Sequence, residues 1–277
     1  MYRQLSAVGT AVLTALAVMT GTASASPREV DTIAHRGASA YAPENTLAAC
    51  AVARIQRADV CEFDIQQTKD HQLVLMHDAT LTRTTDVEKV FPRRSPWRVS
   101  NFTLAEIQRL DAGSWFSSRY RGERVPTLGQ AMRALRNTEI GLLLEIKHPP
   151  DSPDIDRRVA AELHDARAWW GRKRLTVQAF DWRSMRAFHS MVPHVPIALL
   201  GKPAADRLPE LAQYASGINL PHRDLTPGYV EDVHDQGMRV FTWSTRRPPV
   251  IRRLISYGVD GIMTNKPDRL ENAKRQS

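Results

Sequence analysis

"GLLLEIKHPPDSPDIDRRVAAELHDARAWWGRKRLTVQAF", residues 141–180, decides the fold. It opens on an apolar run, GLLLEI (141–146), passes through a helical pattern, IDRRVAAELHDARAWW (155–170), and closes on a second run, LTVQAF (175–180). A strand covered on both faces reads as a nearly continuous apolar run, and a parallel neighbour needs a crossover of a dozen or more residues. The stretch therefore predicts a strand–helix–strand unit in a parallel sheet.

Working outward, the same alternation fills the chain. Strand candidates are VDTIAH (30–35), VCEFDI (60–65), LVLMH (73–77), PIALL (196–200), GINL (217–220), RVFTW (239–243) and GIM (261–263). Helical patterns lie between most of them, including 46–57, 127–136 and 248–258. Alternation on this scale in one chain predicts an α/β fold, a TIM (β/α)8 barrel, with a small insertion at about 79–126 after the early strands. Nine candidates exceed a barrel's eight, so at least one is not a strand or lies outside the barrel. One connection breaks the pattern: only QQTKDHQ separates Ile65 from Leu73, too short for a crossover, so the segment reads as a hairpin or an irregular turn, and folding back returns His77 toward Glu62 and Asp64.

The first 25 residues read as a secretory signal. Arg3 is the basic end, LSAVGTAVLTALAVM (5–19) the apolar core, and ASA (23–25) a small-residue cleavage site, with cutting expected after Ala25. No other segment is apolar enough to span a bilayer. The remaining 26–277 form a single barrel domain in this reading. The formal charge of +8 falls to +7 when Arg3 is lost, a balance compatible with an anionic partner, though the basic residues are scattered. Cys50 and Cys61 form no zinc framework; in an exported protein they are either a disulfide or two buried thiols, and both remain open.

Glu62 and Asp64 alternate along one strand and so share a face, with Cys61 and Phe63 on the other. Two carboxylates on an apolar strand repel unless a cation compensates. Glu145, two residues before Lys147, adds a third at a strand end. Three carboxylates suit a hard ion, Ca²⁺ or Mg²⁺, rather than zinc. Taken singly, each acid is more readily explained by an ion pair than as a ligand. His35 and His77 end strand candidates, where a barrel keeps its catalytic rim, and a histidine pair there can serve as base and acid. Arg36 and Lys147 beside them can neutralise a phosphoryl group.

AHRG (34–37), PENT (43–46), CEFDIQQTKDHQLVLMHDATLTRTT (61–85), LDAGSWF (110–116), RVPTL (124–128), LLLEIK (142–147), VFTW (240–243) and GVDGIMTNKP (258–267) resemble, in that order, the glycerophosphodiester phosphodiesterase family. The resemblance implies a TIM barrel with an insertion. It implies His35 and His77 as the acid–base pair, and Glu62, Asp64 and Glu145 as ligands of one divalent ion. Arg36 and Lys147 would meet phosphate, with Glu44 orienting or neighbouring the centre and Gln178 and Trp243 lining the pocket. The substrate would be a small phosphodiester; a teichoic-acid-like polymer or a lipid head group is compatible, and no nucleic acid is implied. Two departures, Trp243-Ser244 and Thr264-Asn265, fall outside the metal and acid–base set and bear on substrate preference. Two other readings stand beside this one. A phospholipase D-like enzyme acting on lysolipids or sphingomyelin would use an apolar rim, for which Trp97, Phe102, Trp115 and Phe116 are candidates. A non-catalytic module binding anionic wall polymer would not need the acid–base and metal set.

Overall fold

The structure is a computed structural model that describes residues 30–148, 152, 154–166, 175–243, 245 and 247–276. The expected signal sequence of residues 1–25, the end of the 155–170 helical pattern and Ser244 lie outside the described residues. Nine strands form one sheet: β1 (Asp31–Ala34), β2 (Val60–Gln67), β3 (Leu73–Leu75), β4 (Gly141–Ile146), β5 (Leu175–Ala179), β6 (Ile197–Leu200), β7 (Gly217–Pro221), β8 (Arg239–Trp243) and β9 (Gly261–Thr264). Their order is β1-β9-β8-β7-β6-β5-β4-β2-β3, and β1 also pairs with β2, so eight parallel strands close into a barrel. The ninth, β3, folds back antiparallel on the end of β2, with Ile65 opposite Leu75. It is the strand that the short 66–72 connection sets apart.

The period of two divides each barrel strand between two environments. Ile33, Val60, Leu143, Ala198, Phe241 and Met263 form a buried cluster with Trp243 packed against it, which is the barrel's interior. Their chain neighbours, among them Ala34, Cys61, Leu142, Leu144, Ile197 and Val240, belong to a larger cluster shared with the surrounding helices. Both faces are dry, which is why the strands read as apolar runs. Two residues beyond an inward position the side chain again points inward, one layer nearer the C-terminal mouth. His35, Glu62, Glu145 and Met263 occupy such positions, and Asp64 and Lys147 lie one step further.

The helices start on chemical signals visible in the sequence. Thr46 caps the helix Leu47–Ile55 by accepting from the Ala49 N–H, and Thr127 forms a capping box with Gln130 at Leu128–Leu135. Prolines occupy the first turn of Pro227–Asp235, Pro248–Ser256 and Pro267–Lys274, where a missing N–H costs nothing. Gly37, in the turn after β1, has φ +78°, and a Cβ there would lie 2.6 Å from the Ala49 Cβ, so the first helix can approach only a glycine.

Cys50 on that helix and Cys61 on the outward face of β2 form a disulfide, with Cα atoms 5.9 Å apart, within the ordinary range. Between β3 and β4 the chain builds a second apolar cluster around Leu81, Val99, Phe102, Ile107 and Leu110. Phe102 is fully buried there with the Arg94 guanidinium over its ring, and Trp97 donates its Nε1–H to the Phe91 carbonyl. Of the four aromatic residues considered for a lipid-facing rim, Trp115 alone is exposed.

Candidate active site

The turn leaving β1 carries His35 and Arg36 into the mouth. Arg36 has φ +56°, an uncommon state for a long side chain, and its backbone N–H donates to Glu62 Oε2 at 2.6 Å. Its guanidinium meets Glu44 Oε1 at 2.8 Å and Asp64 Oδ2 at 3.3 Å. The PENT segment then acts at every polar position. Glu44 is held by Arg36 and also by a two-pronged contact from Arg83, at 2.7 and 2.8 Å. Asn45 donates to Asp64 Oδ2 at 2.8 Å and accepts from the Asp64 backbone N–H at 3.0 Å. Thr46 caps the helix.

The fold brings Glu62, Asp64 and Glu145 together: one carboxylate oxygen from each lies within 4.8 Å of the others, and all three are buried. Burial pushes the Glu62 carboxyl well above its ordinary range, and the charges of Asp64 and Glu145 push it further. Burial and Asp64 likewise raise Glu145 against the opposing Lys147. Asp64 goes the other way. Burial would raise it, but Lys147 and Arg36 outweigh this and hold it ionised below the usual range. Lys147 contacts both Glu145 and Asp64, at 3.2 Å for the latter, and the two acids raise its pKa against burial. Glu62 Oε1 is buried with no hydrogen-bond partner among the described residues. An all-oxygen, buried, partly unsatisfied triad fits a hard divalent cation.

The two histidines have different partners. His35 Nδ1 lies 2.7 Å from Asn265 Oδ1, a neutral amide just beyond β9. Burial, followed by Arg36, lowers the His35 pKa. His77 Nδ1 lies 2.7 Å from Asp78 Oδ1, and Asp78 is held at about 2 by Arg83, which also grips Glu44. The hairpin returns His77 to this mouth because the Met76 N–H donates to the Asp64 carbonyl. The departure at Asn265 thus touches His35 directly. Barrel closure sets the end of β9 beside the end of β1, which is why a position outside the expected metal and acid–base set meets His35.

Gln178, opposite Glu145 in register, is fully buried, and Trp243 ends β8 with its Nε1–H unpartnered among the described residues. Sequence reasoning missed Asn45, Asp78, Arg83 and Asn219 as site residues. Asp78 had a cue in its place beside His77, and Asn45 in its place within PENT. A cavity of about 1070 Å³ runs from Glu145 and Lys147 toward Phe180, Trp182, Arg183 and Tyr214, with Phe180 exposed at its side.

A closed parallel barrel whose C-terminal mouth gathers acids, cations and two histidines defines an enzyme of the TIM-barrel class. Residues 35–269 match the Glycerophosphoryl diester phosphodiesterase family. YhdW of Bacillus subtilis (strain 168) is 36% identical over 241 residues, spanning 85% of this chain and 94% of its own. The glycerophosphodiester phosphodiesterase of Caldanaerobacter subterraneus subsp. tengcongensis is 34% identical over 247 residues, spanning 88% and 97%. Among solved structures, an Oleispira antarctica phosphodiesterase in complex with the product sn-glycerol-3-phosphate superposes with a TM-score of 0.78 at 26% identity, covering 89% of this chain and 97% of that one. The chain belongs to the glycerophosphoryl diester phosphodiesterase family.

Proposed function

We propose that the protein is an exported, metal-dependent phosphodiesterase that hydrolyses glycerophosphodiesters to glycerol phosphate and an alcohol. The observation that carries this reading is the buried Glu62–Asp64–Glu145 triad with Arg36 and Lys147 at its edge, in a chain of this family. The triad would hold one Ca²⁺ or Mg²⁺, which when bound supplies Lewis-acid stabilisation of phosphoryl charge. Arg36 and Lys147 bind the phosphoryl oxygens.

His35 acts as the base. Its lowered pKa keeps the ring neutral near pH 7, and the Asn265 oxygen accepts from Nδ1–H, which leaves the Nε2 lone pair for a substrate proton. His77, oriented by Asp78, acts as the acid. In the route we favour, His35 takes the proton of the glycerol hydroxyl adjacent to the phosphate, and that oxygen bonds to phosphorus. The bond from phosphorus to the leaving oxygen breaks, and His77 protonates the departing alcohol. Water then opens the cyclic phosphate with the two histidines in exchanged roles. The cavity beside Glu145 and Lys147 gives the leaving alcohol its room.

Export is supported by the 1–25 signal pattern and by the Cys50–Cys61 disulfide, a bond that persists in oxidising compartments. The test is a product-release screen over glycerophosphodiesters, lysolipids and glycerol-phosphate wall polymer, each with Ca²⁺, Mg²⁺ or chelator. Metal-dependent release of glycerol phosphate from the small diesters supports the proposal. Release from lysolipid alone would transfer the activity to a phospholipase D-like reading, and no release from any substrate would leave a binding module. Amino-terminal sequencing of protein from the medium, beginning at Ser26, tests export.

A further inference from the structure

The barrel interior changes character along β5 to β7, the strands that follow the acid-bearing β4. One layer down from Glu145 it is apolar, with Leu143 among its members. Nearer the mouth stand two amides, Gln178 on β5 and Asn219 on β7, both with no exposed surface. They reach across β6, where Ala198, the register partner of Gln178, is small. Asn219 Nδ2–H donates to Gln178 Oε1 at 2.7 Å. The other half of each amide, Gln178 Nε2 and Asn219 Oδ1, is buried without a partner among the described residues. Rotating both amides end for end would reverse the bond between them and still leave one donor and one acceptor free.

A fold gains nothing from this arrangement. Buried, unpaired amide atoms destabilise, and apolar side chains of the same size would pack the layer without that cost. One free donor beside one free acceptor is the complement of an alcohol, whose O–H donates and whose lone pair accepts. A third unpartnered donor, Trp243 Nε1, stands on β8, the strand next to β7. Gln178 is also the register neighbour of Glu145, which places the free donor beside the acid cluster.

We propose that the Gln178–Asn219 amide pair is the subsite that recognises a free hydroxyl of the substrate's glycerol moiety, with Trp243 Nε1–H available to the same moiety, and that Asn219 is a specificity-determining residue. This rests on the phosphodiesterase reading. It assigns to neutral groups the part of the substrate that the cations do not bind.

The experiment compares wild type with Asn219→Leu and Gln178→Met, replacements of similar size that cannot make the bonds. The substrates are glycerophosphocholine and its propane-1,2-diol analogue, which keeps the hydroxyl adjacent to the phosphate and lacks the terminal one. Wild type should prefer the glycerol substrate by ~10-fold or more in kcat/KM, because a site built to bond a hydroxyl rejects its absence. In either variant the preference should collapse to about twofold through loss on the glycerol substrate, with the analogue's rate retained. The thermal shift given by sn-glycerol 3-phosphate should exceed that given by inorganic phosphate in wild type, and the two should converge in the variants. An unchanged preference, or an equal fall on both substrates with a lowered Tm, overturns the proposal and assigns the pair to structure. If wild type turns over neither diester, the phosphodiesterase reading fails. The thermal-shift comparison then decides the subsite by itself: equal shifts from the two ligands in wild type reject it. Should one variant not fold, the other carries the comparison.

Discussion

Replacing Asn45 by glycine removes the two hydrogen bonds that clamp Asp64 while leaving the backbone free to keep its shape. Asn45 is buried with φ +57°, and its side chain donates to the Asp64 carboxylate and accepts from the Asp64 N–H. A hydrogen bond to a charged group contributes about 1.5–3 kcal/mol and a neutral one about 1 kcal/mol. Loss of both therefore predicts a destabilisation of roughly 3 kcal/mol for Asn45→Gly. Asn45→Ala loses the same bonds and must also hold a left-handed backbone, which adds about 1 kcal/mol. The order wild type, Gly, Ala is the signature of a clamp; an order in which Gly matches wild type is the signature of backbone strain alone. Urea denaturation in chelator gives the stabilities. Calorimetric titration with Ca²⁺ gives the second consequence, since an untethered Asp64 should weaken metal binding by ~10–100-fold, as loss of a ligand's supporting partner does. A glycine variant within about 0.5 kcal/mol of wild type, the spread of a neutral surface change, and with unchanged calcium affinity would refute the reasoning.

Chelation should abolish turnover, and Ca²⁺ or Mg²⁺ should restore it; full activity in protein that elemental analysis shows to be metal-free refutes the metal site. In chelator the folded Glu62 keeps a proton that the unfolded chain releases near pH 4.5, so stability should fall as pH rises above that value, and Glu62→Gln should flatten the slope. His35→Ala and His77→Ala should each lower kcat by ~10²–10⁴ while sn-glycerol 3-phosphate still binds. Asn265→Asp places a carboxylate on His35 and should raise its pKa, moving the acidic limb of the kcat/KM profile to higher pH; an unmoved limb excludes His35 as the base. Reduction of Cys50–Cys61, eleven residues apart, should cost about 3 kcal/mol from loop entropy, read as a lower urea midpoint in dithiothreitol.

The fold was legible because each barrel strand is dry on both faces, so its apolar run is continuous and its ends fall within about two residues of the observed strand, as boundary fraying allows. The clustering of the three acids was legible because carboxylates at the ends of apolar runs, each explicable singly by an ion pair, are together hard to account for without a shared cation. What escaped was partnership over distance. PENT reads locally as a turn and a cap, and nothing within it names Asp64 as the partner of Asn45, nineteen positions away. Asn265 is 230 positions from His35 and adjoins it because the last strand closes on the first. Asn219 looks in sequence like an ordinary polar interruption of the apolar run GINL. Phe102 offered no periodicity to separate a rim from a core, since the segment around it is short turns whose burial is decided by tertiary packing.

The charges at the mouth divide into two sets with different needs. Glu44 and Asp78 share Arg36 and Arg83, a set that is neutral overall, and both acids are held below the usual carboxylate range. Deeper in, Glu62, Asp64 and Glu145 face Lys147 alone as their own cation, with Arg36 reaching Asp64 from the outer set. Fully ionised, the inner set carries two negative charges in excess, and buried charge of one sign is either neutralised by protons or by a cation. The raised pKa values of Glu62 and Glu145 are the first answer and a divalent ion is the second. A monovalent ion would leave one carboxylate still protonated. The arithmetic of the inner set therefore fits the divalent ion proposed above, its all-oxygen donors suit a hard one, and Glu44 and Asp78 are already matched by the arginines of the outer set. With such an ion in place these two sets together would carry no net charge, and Arg36 and Lys147 would no longer be the sole counter-charges of the acids, which is the state the proposed phosphodiester chemistry requires.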